Sequence, residues 1–219
     1  MQKLTFVIGA NAAGKTYFIE HHLANEKAVV LDVYDYQQKV YDEHGNKERI
    51  TFEEQFRCLK KANEKHLHDI INELKQGNDV IAEQTFFKAK RRIAYIDEIR
   101  NEMDVKIEVY VMHPSNERWM ENSKKREDIE NIEVYEEQKK QIEFPNPAEE
   151  FDAIFEVIDD EIILRMDDIK PEIVKQARQE LTEEDTRIHR EDERKHNLRQ
   201  LIESMNTRPC WHYCEVCVK

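Results

Sequence analysis

Eight residues near the amino terminus, Gly9-Ala10-Asn11-Ala12-Ala13-Gly14-Lys15-Thr16, narrow the folds open to this chain more than any other feature. They fit the pattern G-x-x-x-x-G-K-[ST], a loop whose backbone N–H groups turn inward around a phosphate. A ring that tight needs glycine where the dihedrals are unusual. The whole chain has four glycines, and two of them stand in this loop. Such a loop works between a strand and a helix, because the helix presents its positive N-terminus to the same anion. Leu4-Thr5-Phe6-Val7-Ile8 reads as the buried strand before it, and Gly14 to about Leu23 as the helix after it. The pattern therefore assigns nucleoside triphosphate binding to Gly9, Ala10, Asn11, Ala12, Ala13, Gly14, Lys15 and Thr16. Lys15 supplies a point charge to the outer phosphates, and the Thr16 hydroxyl is a ligand for Mg²⁺.

The rest of the chain repeats the strand–helix alternation. Apolar runs at Ala28–Leu31, Asp79–Ala82 and Val105–Val111 read as further strands. Thr51-Phe52-Glu53-Glu54 is a capping-box pattern that opens a helix with apolar residues at helical spacing as far as Leu74, and Gly77 marks its stop. A third helix is expected over Lys88–Met103. A long charged helical region follows Pro114, one or two short strands fall within Phe151–Leu164, and helix follows Pro171. This order predicts an α/β P-loop fold, with a parallel sheet covered by helices on both faces and ligands bound beyond the carboxyl ends of the strands. We divide the chain into a nucleotide-binding domain over residues 1–169, with a lid over about 113–143, and a helical C-terminal appendage over 170–219. A second capping-box pattern stands in that appendage, at Thr182-Glu183-Glu184-Asp185.

Composition limits the partners. The net charge is −13, which repels nucleic acid at long range, so any polynucleotide must meet a local basic patch. Membrane insertion is not expected, because no stretch approaches the length of a membrane span. Met1-Gln2-Lys3 leads straight into a strand-like run without a signal-peptide cleavage region, and the four cysteines are unevenly placed. Both features favour a reducing cytoplasm.

A kinase needs a carboxylate for the acceptor hydroxyl and cations for the charge on the transferred group. Asp32 and Asp35 both fall near the carboxyl end of the second strand. Asp35 is the first choice of base, with a helix N-cap as its alternative role; Asp32 is the other candidate, or a metal contact through water. Glu83 ends the third strand, behind the expected Mg²⁺ site, and Gln84 and Thr85 are candidate substrate contacts. Lys88-Ala89-Lys90-Arg91-Arg92 is the densest basic cluster, either a solvated helix face or a site for an anionic substrate. In the lid stretch, Arg126 is the cation chosen to act on the triphosphate as an arginine finger in cis.

The P-loop, "VIAEQTFFKAKRRI" over Val80–Ile93, "PSNERWMENSKKR" over Pro114–Arg126 and "EFPNPAEEFDAIFEV" resemble the kinase domain of phage-type polynucleotide 5′-hydroxyl kinases. More broadly, the chain resembles the zeta-toxin-like kinases among AAA-type small P-loop ATPases. The resemblance covers roughly Lys3 to Asp160. It implies ATP as phosphate donor, Mg²⁺, a nucleic-acid 5′-hydroxyl end as acceptor, and a base at Asp35 or, with a small shift, Asp32. Gln37 stands where such kinases have a substrate-gripping arginine, and Gln84 where aspartate is common. Between Glu127 and Glu161 there are fourteen acidic residues and two lysines. A small-molecule acceptor is therefore the alternative, and an ATP-regulated interaction module with little turnover is a second one.

Cys210, Cys214 and Cys217 form C-x-x-x-C-x-x-C at the end of the appendage. Three thiolates this close are candidate ligands for Zn²⁺ or an iron–sulfur cluster, with His212, His196 or a partner's residue as a fourth ligand; free thiols are the alternative. The same appendage is the candidate contact for a partner protein.

Overall fold

The apolar runs are short and rich in β-branched residues, so each buries its faces by pairing side by side with the others. In the computed structural model, which describes residues 1–23, 28–43, 51–125 and 132–206, six strands do so. They are β1 (Lys3–Gly9), β2 (Ala28–Asp32), β3 (Asp79–Gln84), β4 (Lys106–Met112), β5 (Ala153–Ile158) and β6 (Glu161–Asp167). The spatial order is β2-β3-β1-β4-β5-β6. The first five are parallel, and β6 turns back antiparallel on β5.

Alternation along the strands sorts the core into two layers. Leu4, Phe6 and Ile8 of β1 face Val80 and Ala82 of β3 and the helices α3 (Phe52–Lys75) and α4 (Ala89–Glu102), through Ile70, Leu74, Ile96 and Ile99. Val7, Ile81, Met112 and Val157 face the other way, onto Phe18 and Ile19. The chain is thus an α/β fold with a mostly parallel sheet and helices on both faces.

Local chemistry explains where the helices begin. Thr51 accepts from the backbone of Glu54 while the Glu54 carboxylate accepts from Thr51 N, closing the capping box that starts α3. After the phosphate loop, α1 (Lys15–Phe18) gives way to a wider π turn over Ile19–Leu23. His21 Nδ1 donates to the Tyr17 carbonyl at 2.8 Å, taking the acceptor that an α turn would use. A helix absent from the sequence reading, α2 (Val33–Glu43), follows β2 directly. The lid stretch holds α5 (Asn116–Lys124) and α6 (Ile132–Gln141).

The described chain separates into a unit Met1–Val174 and a second unit from Lys175 onward. The last helix, α7 (Pro171–Asn206), runs without interruption through Thr182. The capping-box pattern there starts no helix: the Thr182 hydroxyl donates back to the Arg178 carbonyl at 2.9 Å. His189 engages Glu193 and His196 engages Gln200, each one turn on. Cys210, Cys214, Cys217 and His212 lie outside the described residues. Among the described residues no helix is long and apolar enough to cross a membrane.

One buried polar contact in the sheet carries a pH prediction. Glu156 of β5 accepts from His113 Nδ1 at 2.6 Å and from Arg165 Nε at 2.7 Å. Burial alone would raise its pKa, but His113 and Arg165 together hold it below the ordinary 4.5. A lowered carboxylate stabilises the fold above its unfolded pKa and loses that contribution as the pH falls through the folded one. Glu156→Gln should therefore melt below wild type at pH 7, and the gap should close in melts run at progressively lower pH beneath 4.5. A gap that is independent of pH would contradict this assignment.

Candidate functional site

The phosphate loop leaves β1 at the centre of the sheet, at the carboxyl edge. Gly9 has φ 155°, and a Cβ there would stand 2.9 Å from the Met112 Cβ and 3.0 Å from the Met112 carbonyl, so no side chain fits. Gly14 has φ 88° at the start of α1, and Ala12 has φ 58° between them. These turns bend the backbone into a cradle of N–H groups ahead of a helix N-terminus.

Lys15 is nearly buried and donates to the carbonyls of Ala10 at 3.1 Å and Gly9 at 3.3 Å. The Thr16 hydroxyl donates to both oxygens of the Glu83 carboxylate, at 3.1 and 3.2 Å. Glu83 lies across the β2–β3 ladder from Asp32. Burial raises the pKa of both carboxylates, and each also feels Asp35 pushing it up and Lys15 drawing it down. One cation and three carboxylates thus act on one another at this edge.

The structure places the two aspartates differently. Asp32 accepts from the backbone N–H of Tyr34 at 2.9 Å, so it caps α2. The capping role that the sequence offered to Asp35 falls to Asp32. Asp35 sits exposed in the first turn of α2. Arg126 lies outside the described residues.

The donor set suits a cation shared with a substrate. Thr16 offers one hydroxyl, and Glu83 stands directly behind it. Among the described residues no group of three or more His, Cys, Asp or Glu side chains is arranged to hold a metal alone. Mg²⁺ bound through one or two protein groups plus phosphate oxygens needs no such group.

The lid elements grip the cradle from outside. Trp119 of α5 is buried against Ala10, and its indole N–H donates to the Asn11 carbonyl at 2.8 Å. Asn122 Nδ2 donates to the Ala12 carbonyl at 3.2 Å, and Asn11 N donates to Gln138 Oε1 of α6 at 2.9 Å. Sequence reasoning did not single out Trp119, Asn122 or Gln138, because their partners lie more than 100 positions away. A narrow cleft of about 30 Å³ opens beside Gly14, with Tyr17, His22, Pro114, Arg118 and Asp160 in its walls.

The basic cluster is only partly available to a substrate. Arg92 is buried, paired through Nε and a terminal nitrogen with both oxygens of Glu149, at 2.5 and 2.8 Å. It also donates to the Phe86 carbonyl at 2.6 Å and to the Glu143 carbonyl at 2.7 Å. Lys88 pairs with Glu143 at 2.9 Å. Arg92 therefore locks the turn after β3, where Phe86 holds a left-handed φ of 40°, costly for an aromatic residue. Lys90 and Arg91 are exposed.

Comparison with known proteins fits this architecture. A family model described as an AAA domain matches residues 4–145. A solved structure of a candidate kinase from Chloroflexus aurantiacus J-10-fl is similar at 17% identity, with a TM-score of 0.56 over 83% of this chain and 97% of that one. Part of the PezAT toxin–antitoxin system of Streptococcus pneumoniae matches at 12% identity and TM-score 0.49, covering 73% of this chain and 70% of that one. A sugar kinase from Janibacter sp. HTCC2649 matches at 16% identity and TM-score 0.47, covering 81% and 92%. No curated protein matches the chain. At these identities the likeness concerns the fold.

Proposed function

The chain belongs to the AAA domain family, and from that premise we propose that it is an ATP- and Mg²⁺-dependent kinase that moves the γ-phosphate to a hydroxyl acceptor. The observation that carries this reading is the contact of the Thr16 hydroxyl with the Glu83 carboxylate, beside Lys15 and a cradle that only glycine can close.

The proposed roles follow from charge and position. The backbone from Gly9 to Thr16 encloses the phosphates, and Lys15 sets its ammonium against the outer ones. Thr16 holds Mg²⁺, and Glu83 fixes the direction of the Thr16 hydroxyl. When bound, Mg²⁺ offsets charge on the β- and γ-phosphate oxygens. Asp35 takes the proton from the acceptor hydroxyl. The acceptor oxygen then bonds to the γ-phosphorus as the bond to the bridging oxygen breaks, and ADP leaves. Arg126 is the proposed lid cation. A 5′-hydroxyl nucleic-acid end and a small hydroxylated molecule are both acceptors of the right chemistry, and the reducing cytoplasm is the compartment we assign.

Asp35→Ala separates a kinase from an ATP-gated binding module. Removal of a general base costs about 10²–10⁴-fold in rate. A kinase variant should lose turnover by that factor, measured with γ-labelled ATP, while its Kd for ATP stays within about twofold, the factor an exposed residue off the cradle should leave. Turnover close to wild type would remove Asp35 from the mechanism.

A further inference from the structure

A second polar group lies at the same edge of the sheet, on the face covered by α3 and α4. Asn63 and His66 stand one turn apart on α3. Gln84 Nε2 donates to Asn63 Oδ1 at 2.7 Å, and the Tyr95 hydroxyl donates to the Asn63 carbonyl at 2.9 Å. Burial raises the Tyr95 pKa to about 12, partly offset by Arg91 and by the Gln84 amide. The Gln84 nitrogen is thus committed, and the amide cannot turn over without losing Asn63.

His66 is fully buried, with Nε2 3.1 Å from the Leu31 carbonyl. A carbonyl only accepts, so Nε2 carries the proton. Burial holds the ring below its ordinary pKa, hence neutral, and Nδ1 is an acceptor. Two buried acceptors have no partner among the described residues: His66 Nδ1 and Gln84 Oε1. Gln84 is itself 3% exposed. They share one face of the sheet. Leu31 pairs with Ala82, and Gln84 is two residues further along β3, roughly 7 Å in the strand direction. Glu83, next in sequence, looks to the opposite face and meets Thr16.

We propose, building on the kinase reading above, that the phosphate acceptor docks here and is a polyhydroxyl compound, a sugar or ribose whose neighbouring hydroxyls donate to Gln84 Oε1 and His66 Nδ1. Both groups ask for a hydrogen. A phosphate or carboxylate oxygen has none to give, and would set a third acceptor against these two, with Asp32, Asp35 and Glu83 nearby. A hydroxyl donates to one group and leaves its own lone pairs for Asn63 or Tyr95. Arg91, exposed at the start of α4, acts on both His66 and Tyr95 from the rim.

The test uses the full chain with γ-labelled ATP and Mg²⁺. Initial rates are measured for free pentoses and hexoses, ribonucleosides, 2′-deoxyribonucleosides and a 5′-hydroxyl DNA oligonucleotide. The expected result is label on a compound with neighbouring hydroxyls, at least about tenfold faster than on its partner lacking the second hydroxyl, in keeping with loss of a hydrogen bond to a buried group. Gln84→Met and His66→Phe should each raise the KM of that acceptor by about tenfold or more on the same grounds, with the KM for ATP within about twofold. A thermal melt checks that each variant folds, and if His66→Phe does not, Gln84→Met decides alone. Equal rates on the deoxy compounds or the oligonucleotide, an unchanged acceptor KM, or label on no compound in the panel would overturn the proposal. If ATP itself does not bind, the kinase reading fails first, and an ATP titration run beside the panel tells the two failures apart.

Discussion

Lys15→Met abolishes phosphoryl transfer, with a fall of about 1,000-fold or more in kcat/KM, equivalent to roughly 4 kcal/mol of lost transition-state stabilisation. Methionine keeps most of the length of the side chain, so the nearly buried stem still packs under the loop. What disappears is the cation. Asp32 and Glu83, both pushed up by burial, are each drawn down by Lys15. Without it, the edge carries Asp32, Asp35 and Glu83 with no ammonium among them, and the anionic triphosphate meets net repulsion. The melting temperature should stay close to that of wild type, because the lost contacts are two hydrogen bonds from Lys15 to loop carbonyls. Activity and melting are measured on the same preparation. Transfer at a near-normal rate would remove Lys15, and with it the assigned phosphate site, from the mechanism.

Glu149→Gln should destabilise unit 1 by about 3–5 kcal/mol, the range for breaking a buried ion pair by removing one partner. Arg92 is 1% exposed and Glu149 is fully buried. The neutral amide leaves a guanidinium buried without a counter-ion. A drop of roughly 10 °C in melting temperature follows for a domain of this size. Glu149 also accepts from Asn146 N at 3.1 Å, so the turn over Pro147–Glu149 loosens as well. The double variant Arg92→Met, Glu149→Met should be milder than either single change, because no charge is then stranded. A single-variant loss below about 1 kcal/mol would contradict the buried pair.

Much of the cradle was legible in the sequence, because its requirements are local. Two glycines, a lysine and a threonine at fixed spacing, between an apolar strand and a helix, can be read without knowing what lies opposite. The same holds for Thr51 and Glu54, which form both halves of their box within four residues. The first five strands were legible as apolar runs for the same reason. Where the reading fell short, a distant partner decided the outcome. Arg92 looked like one more cation in a basic run, and only Glu149, 57 positions away, makes it a buried strut. Trp119 and Asn122 carry no local sign that they hold the carbonyls of Asn11 and Ala12. Thr182 shows the converse: a capping box is written in the sequence, but the helix already runs through it, so the hydroxyl bonds backward. The α2 helix escaped notice because Asp32, its cap, also reads as the last residue of a strand.

The central claim is that backbone amides and Lys15 at the edge of the sheet enclose a magnesium-bound nucleoside triphosphate. Calorimetric titration of the full chain with ATP, in the presence and absence of Mg²⁺, tests it most directly. The account predicts saturable one-site binding that tightens when Mg²⁺ is present and weakens at least about tenfold in Lys15→Met, a loss of about 1.4 kcal/mol or more. Heat indistinguishable from buffer dilution in the wild-type protein with Mg²⁺ supplied, or identical binding in Lys15→Met, would contradict it.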